Sequence, residues 1–317
     1  MVMSRGELFS PEIVSDLINK TKGASALSQL SASQPIPFNG QKEFTFSMAK
    51  EIDVVAENGK KTEGGVIIEP RIMKPIKVEY GARFSDEFLY SADEQKMNIL
   101  KAFNDGFALK LAKGLDLMAM LGINPRTGKP SDVIAKNDFK DKVTTIATYV
   151  KEATTKEDNN ADEAISNAIN EVAKKDFSVS GVIANRDMSI DLSKLTVNGD
   201  KNGTRIYPQL AWGANPGSLN GMPLQITNNI SFGDSDLTGL VGDFATNFRW
   251  GYSKQIPMEV IRYGDPDNSG LDLKGYNQVY LRAEVYLGWG ILDPNAFALI
   301  KKGAEKVTTG KKPGVGA

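Results

Sequence analysis

From Val66 to Tyr80 the side chains alternate: Val66, Ile68, Ile72, Ile76, Val78 and Tyr80 are apolar at even positions, and Glu69, Arg71, Lys77 and Glu79 are charged at odd ones. Successive side chains of an extended chain point to opposite sides, so the run predicts one long strand with a single dry face. Upstream, Phe44, Phe46 and Met48 alternate with polar residues, and Ile52, Val54 and Val55 continue the pattern. Between the two runs stands Glu57-Asn58-Gly59-Lys60-Lys61-Thr62-Glu63-Gly64-Gly65, whose Asn-Gly pair and double glycine predict the positive φ of a hairpin connection. A long hairpin over residues 42–80 is the expectation. Two strands alone are marginal in water, so the apolar face has to be covered either by the rest of its own chain or by a neighbouring subunit.

The remainder supplies a body for that hairpin to stand on. Ile13, Val14, Leu17 and Ile18 have helical spacing after Ser10 and Pro11, and residues 23–38 read as an extended arm. Met97, Leu100, Phe103, Phe107, Leu111, Leu115, Met118 and Leu121 recur every three or four residues with Gly122 as a stop, predicting one helix from Asp93 to Leu121. At ~1.5 Å per residue such a helix is roughly 40 Å long. Gly106 and Gly114 inside it predict close packing or a bend. Ala164, Ile165, Ala168, Ile169 and Val172 predict a second amphipathic helix, followed by strand patterns at 179–184, 240–244, 259–262 and 278–290, a short helix over 294–302, and a tail from Gly303 with little to bury. The fold class is α+β.

Composition narrows the chemistry. The chain has no cysteine and no histidine, which removes disulfides, thiol nucleophiles, thiolate metal sites and the commonest general base together. An enzyme built here would run on carboxylates, lysines and hydroxyls, and that reading is set aside in favour of a structural role. With 38 basic and 39 acidic residues there is no excess charge for reading nucleic acid. No stretch reaches the ~18 apolar residues of a membrane span, and residues 1–11 lack the apolar core of a secretory signal, so synthesis in the cytoplasm is expected. The sequons at Asn202 and Asn229 carry no weight without a secretory route.

Three motif-like strings are plain turns or chance on inspection. Residues 122–130 have glycine spacing one too long for a phosphate loop, with Pro130 in place of the magnesium-binding hydroxyl. Ser47 and Lys50 share the serine-lysine hydrolase spacing but lie in a strand pattern. Asp265-Pro-Asp267-Asn268-Ser269-Gly270 begins like a calcium loop, yet Tyr276 stands where the bidentate glutamate belongs. No cofactor and no metal are assigned, and the lysines of the C-terminal tail read as solvated.

Taken in order, the pieces resemble the Hong Kong 97 fold family of phage major capsid proteins over nearly the whole chain. Lys42 to Tyr80 resembles the family's extended loop, with a charged tip at Glu57, Lys60, Lys61 and Glu63. Residues 84–122 resemble its spine helix, with Ser85-Asp86-Glu87-Phe88-Leu89 before the helix. Val182-Ile183-Ala184-Asn185-Arg186, the turn at 200–207, Leu219-Asn220-Gly221-Met222-Pro223-Leu224, Gly242-Asp243-Phe244, the strand 277–283 and Asp293-Pro294-Asn295-Ala296-Phe297 follow in the family's order. The resemblance implies an N-terminal arm over 1–41, the extended hairpin over 42–80, a peripheral domain with the spine helix over 81–122, an axial domain over 123–250, return strands over 251–303 and a flexible tail over 304–317.

It further implies a protein that tiles with itself, as hexamers and pentamers, into an icosahedral shell enclosing double-stranded DNA without sequence specificity. Scaffolding and portal proteins are the other implied partners, with the virion as its location and assembly in the host bacterial cytoplasm. Because the chain reaches the arm at once, a separate scaffolding protein or an already processed form is expected. Some members link a loop lysine covalently to a neighbour's asparagine; Lys60 or Lys61 would be that lysine, and no asparagine is assigned. The intersubunit contact candidates are Phe44, Phe46, Lys60, Lys61, Glu63, Val66, Ile68, Arg71, Ile72 and Ile76, with both arm and hairpin reaching out. The alternative is an encapsulin-like nanocompartment shell enclosing cargo enzymes, although the N-terminal region does not resemble that group's.

Overall fold

A computed structural model describes residues 24–303, apart from residues 49, 51, 91–92, 135, 151–158, 200–202, 234 and 254–257. The helix expected near residues 12–20 and the tail from 304 lie outside the described residues. The chain forms two compact units, one of Met1–Lys142 with Asp243–Pro294 and the other of Val143–Gly242 with Asn295–Ala317. Helix and sheet are mixed in both, the α+β class expected.

The first unit is organised by one strand, β11 (Gln278–Ile291), which pairs antiparallel with β3 (Ile76–Ser85), β9 (Phe248–Tyr252) and β10 (Met258–Ile261). Its odd residues, Val279 through Ile291, are buried. Register places them on one face with Ile76, Val78, Tyr80, Ala82 and Phe84 of β3. Helix α3 (Asp93–Leu121) packs there: Leu100 is buried against Val279 and Leu281, and the Phe103 ring lies 6.0 Å from Tyr80 and 6.3 Å from Phe84. The helix has the predicted bounds and ends at Gly122, whose φ of 68° suits glycine. It continues unbroken through Gly106 and Gly114. A Cβ would meet nothing within 4 Å at Gly106, where no close approach is found, while at the buried Gly114 it would be in ordinary contact with Pro125 at 3.6 Å.

The even face of β11 carries charge and then glycine. Lys77 pairs with Glu284 at 2.6 Å, and Arg282 donates to Glu259 and stands in an ion pair 3.5 Å from Glu284. Further along, Gly288 lies directly opposite Gly251, and Gly290 opposite Arg249. Into this flat stretch drop Ile36, whose Cδ1 would be 2.9 Å from a Cβ at Gly288, and Met73, whose Cγ would be 2.6 Å from one at Gly290. Gln34 and Ile36 donate backbone N–H bonds to Trp250 and Tyr252 at 2.9 and 3.1 Å. The preceding turn, helix α1 (Ala26–Leu30), presents its N-terminus to the buried Asp116 of α3, which accepts from the Ser25 hydroxyl at 2.6 Å and from the Ala26 and Leu27 N–H groups at 3.1 and 3.3 Å. The described part of the arm therefore lies on its own subunit, contrary to the expectation that it reaches out. A buried carboxylate and a glycine-lined strand supply what its polar sequence could not.

Arg83 of β3 settles the calcium-like loop. Its Nη2 donates to Asp265 Oδ1 at 2.7 Å, Asp267 Oδ1 at 2.5 Å, Ser269 Oγ at 2.5 Å and the Leu271 carbonyl at 2.9 Å. These are the first, third, fifth and seventh positions, the ones that hold the ion in a calcium loop. A guanidinium of the chain itself takes that place and ties the loop to the sheet. Among the described residues no cluster of acidic groups is arranged for a metal. Residues 122–130 form the plain turn expected, with Gly128 N–H bonded to the Asn124 carbonyl and Asn124 N–H to that of Lys129, both at 2.8 Å.

The second unit is a six-stranded sheet, in the order β4 (Ile146–Tyr149), β12 (Phe297–Lys302), β8 (Leu237–Gly242), β5 (Gly181–Ala184), β7 (Met222–Ile226), β6 (Ser218–Leu219). Helix α5 (Ala161–Ala173) starts at a capping box made by Asn160 and Glu163 and buries Ala164, Ala168 and Val172 against Val182, Val241, Ala298 and Ile300. Helix α6 (Arg186–Ser193) follows β5 at once, capped by Asn185. The helix expected over 294–302 is instead a 3-10 turn at Pro294–Ala296 and then β12. This strand runs between β4 and β8 with Phe297 to Ile300 all buried, and a strand covered on both faces loses the alternation that would have marked it.

Two measurements check this architecture. A Cβ at Gly251 would sit on the Gln34 carbonyl oxygen, so Gly251→Ala is expected to lower stability by about 2 kcal/mol and to expose residues 31–37 to proteolysis. Unchanged protection would contradict the seating of the arm. Arg83 hydrogen bonds hold the Asp267 carboxyl well below the usual carboxylate range, so its contribution is complete above the ordinary pKa of about 4 and is lost as pH falls through the lower folded value. Melting temperature is expected to fall more steeply below that pH in the wild type than in Arg83→Gln. Parallel curves by circular dichroism would refute the clamp.

Candidate intersubunit surface

Strands β1 (Gln41–Met48) and β2 (Val66–Met73) form an isolated antiparallel pair, Gln41 opposite Met73 through to Met48 opposite Val66. Directly opposed residues share a face. Register therefore sorts the hairpin into Lys42, Phe44, Phe46 and Met48 with Ile72, Pro70, Ile68 and Val66 on one side, and Gln41, Glu43, Thr45 and Ser47 with Met73, Arg71, Glu69 and Ile67 on the other. The first side is almost wholly apolar. Phe44 is 65% exposed, Val66 57% and Ile68 58%.

The polar side holds the root to its own subunit. Glu43 meets Arg249 at 3.3 Å, Arg71 Nε donates to the Leu292 carbonyl at 3.1 Å, and Met73 is buried over Gly290. The outcome is a finger with its base fixed and its greasy face in water. Large exposed apolar patches on soluble proteins mark interaction sites.

The candidates divide accordingly. Phe44, Val66 and Ile68 share the exposed apolar face, and Phe46 and Ile72 stand in the same ladder opposite Ile68 and Lys42. Lys60, Lys61 and Glu63 are exposed in the connection between the strands. Arg71 is on the opposite face, engaged with Leu292. Ile76 is not in the hairpin: it is half-buried in β3 opposite Leu287.

The single strand expected from Val66 to Tyr80 is two strands, broken at Lys74 and Pro75. Pro75 has no N–H to give a ladder, and burial of Met73 turns the chain from one sheet into another. A two-residue break preserves parity, so the alternation in the sequence passes through it unmarked.

Sequence reading missed part of the surface. Ile67 breaks the alternation and is exposed on the polar side. Ile52 and Val54, read as strand, lie past the end of β1 in irregular chain, 93% and 96% exposed. Gly59 closes a turn by donating to the Ala56 carbonyl at 2.8 Å without the expected positive φ. Crowding keeps it glycine instead, because a Cβ would lie 2.7 Å from Val55 Cγ1.

The sequence model of the phage capsid family matches residues 6–302. No curated protein matches the chain. Among solved structures it is similar to one from Mycobacterium phage Ogopogo, with 27% identity and a TM-score of 0.73 over 88% of this chain and 92% of that one. A second, from Gordonia phage Cozz, has 23% identity and a TM-score of 0.71 over 89% of this chain and 87% of that one. A third, described as the capsid of a native GTA particle computed with C5 symmetry, has 15% identity and a TM-score of 0.61 over 96% of this chain and 94% of that one.

Proposed function

Since this chain belongs to the phage capsid family and is a shell-forming major capsid protein of the Hong Kong 97-like fold, we propose that its β1–β2 hairpin is what joins one copy to the next. The observation that carries this reading is the exposed face of Phe44, Val66 and Ile68 on a finger whose other face is tied down. Laid on a neighbour, such a face gains roughly 25 cal/mol for each Å² of apolar area removed from water. Repetition around a closed shell multiplies contacts that are individually modest.

Family and fold are those of a structural protein of the virion that associates with itself. On this reading the unit bearing α3 is the peripheral domain and the unit bearing α5 and α6 the axial domain. Copies close into an icosahedral shell of hexamers and pentamers around double-stranded DNA held without sequence reading, and the near-zero net charge is in keeping with that. Scaffolding and portal proteins are the further partners, and assembly takes place in the host bacterium's cytoplasm. Phe46, Ile72 and the charged tip at Lys60, Lys61 and Glu63 belong to the same contact. Neither the family nor the similar structures support the nanocompartment alternative.

The test is a surface change that leaves the subunit intact. Phe44, Val66 and Ile68 are exposed, so replacing all three with Ser is expected to keep the melting temperature of the isolated subunit. Each loses about 1 to 2 kcal/mol of interface burial, and every 1.4 kcal/mol is tenfold in an equilibrium constant. Particle formation followed by electron microscopy and sedimentation is expected to drop by at least two orders of magnitude. Closed particles formed at wild-type concentrations would overturn the role given to the hairpin.

A further inference from the structure

Asp116 and Asp138 of the first unit are both almost wholly buried, at 0% and 2% exposure, and the fold provides for them unequally. Asp116 accepts from the Ser25 hydroxyl and from the Ala26 and Leu27 N–H groups, donors that replace the water a carboxylate loses on burial. Asp138 accepts one hydrogen bond, from the Asp141 N–H at 3.0 Å. Among the described residues no cation stands within ion-pair distance of it. A carboxylate shut away from solvent with a single donor is costly, and the neutral acid is not. Burial accordingly pushes the Asp138 carboxyl up to about 6. The charged groups that face it are few: Asp141 adds to the upward push, while Lys142 and Lys140 oppose it weakly. Lys142 is itself engaged elsewhere, donating from Nζ to Asn137 Oδ1 at 2.8 Å, and it faces the Arg71 guanidinium of β2.

The position of this carboxyl matters as much as its burial. Its Oδ2 lies against the end of α3, 2.5 Å from where a Cβ at Gly122 would be. The preceding residue grips β11: Asn137 Nδ2 donates to the Trp289 carbonyl at 3.0 Å, and Trp289 Nε1 donates to the Asn137 carbonyl at 2.6 Å. Immediately beyond, Gly290 receives Met73 and the Leu292 carbonyl accepts from Arg71. The short stretch from Trp289 to Leu292 therefore carries both the Asp138 corner and the root of the hairpin.

We propose that Asp138 is a proton-dependent latch beneath the hairpin root: protonated, it keeps residues 137–142 closed on the end of β11, and ionised, it drives that segment to open to water. Opening gives the charge a solvent shell and takes Asn137 off Trp289, which loosens the stretch that the root shares. The closed carboxyl holds its proton more tightly than an open one, whose pKa is about 4. Closure is therefore firmest below that pH and is lost as pH rises through about 6. The latch rests on neither the capsid reading nor the docking of the hairpin.

Amide hydrogen exchange of unassembled wild-type subunits, read by mass spectrometry and corrected for the intrinsic pH dependence of exchange, tests this directly. Protection of residues 137–142 is expected to fall by about tenfold or more between roughly pH 4 and pH 7 and to level off above that. Residues 112–118, around the well-satisfied Asp116, are expected to keep their protection over the same range. Asp138→Asn, uncharged and of the same shape, is expected to hold the low-pH protection of residues 137–142 throughout. Equal pH dependence in the two wild-type segments, or protection of residues 137–142 that stays level or rises with pH, would overturn the latch while leaving the hairpin reading intact. The wild-type comparison decides the matter even if the variant fails to fold.

Discussion

Strand β11 is the constraint on which the first unit depends, because its two faces do different work along one run of 14 residues. The odd face is continuous core and receives α3. The even face begins as a charge ladder and ends in glycines, and those glycines let Ile36 and Met73 approach where any side chain would collide. Arm and hairpin root are both seated there. A hairpin of two strands has little stability of its own, so the direction in which it presents its apolar face is set by how Met73, Glu43 and Arg71 grip the sheet beneath.

That grip turns an exposed apolar surface from a liability into a functional one. A loose finger with Phe44, Val66 and Ile68 in water would lose conformational entropy on every docking event. A finger fixed at its base by buried Met73 and two polar contacts gives up less, and the gain from burial goes into association. The subunit is in this sense incomplete alone. The same division recurs in the loop at Asp265 to Leu271, which Arg83 holds shut with a charge from the chain itself.

Much of this was legible in the residues. The three-and-four spacing from Met97 to Leu121 and the stop at Gly122 mark the spine helix because burial and helical geometry act locally there. The even-position run marks the dry face of the hairpin for the same reason. What escaped was set at a distance. The break at Lys74 and Pro75 preserves parity and is visible only once β3 is seen paired with β11. The strand Phe297–Lys302 looks like a short helix because both its faces are covered. The arm from Ser25 to Ile36 is polar in composition, and its burial depends on Asp116, Trp250 and Tyr252, partners roughly 90 to 220 positions away along the chain.

The central claim is that the apolar face of the hairpin is open in the single subunit and covered by a neighbour in the shell. Electron cryomicroscopy of assembled particles at side-chain resolution tests it most directly. The expected map shows Phe44, Val66 and Ile68 packed against residues of an adjacent copy. A map in which they remain in solvent, or fold back onto their own subunit, would contradict it.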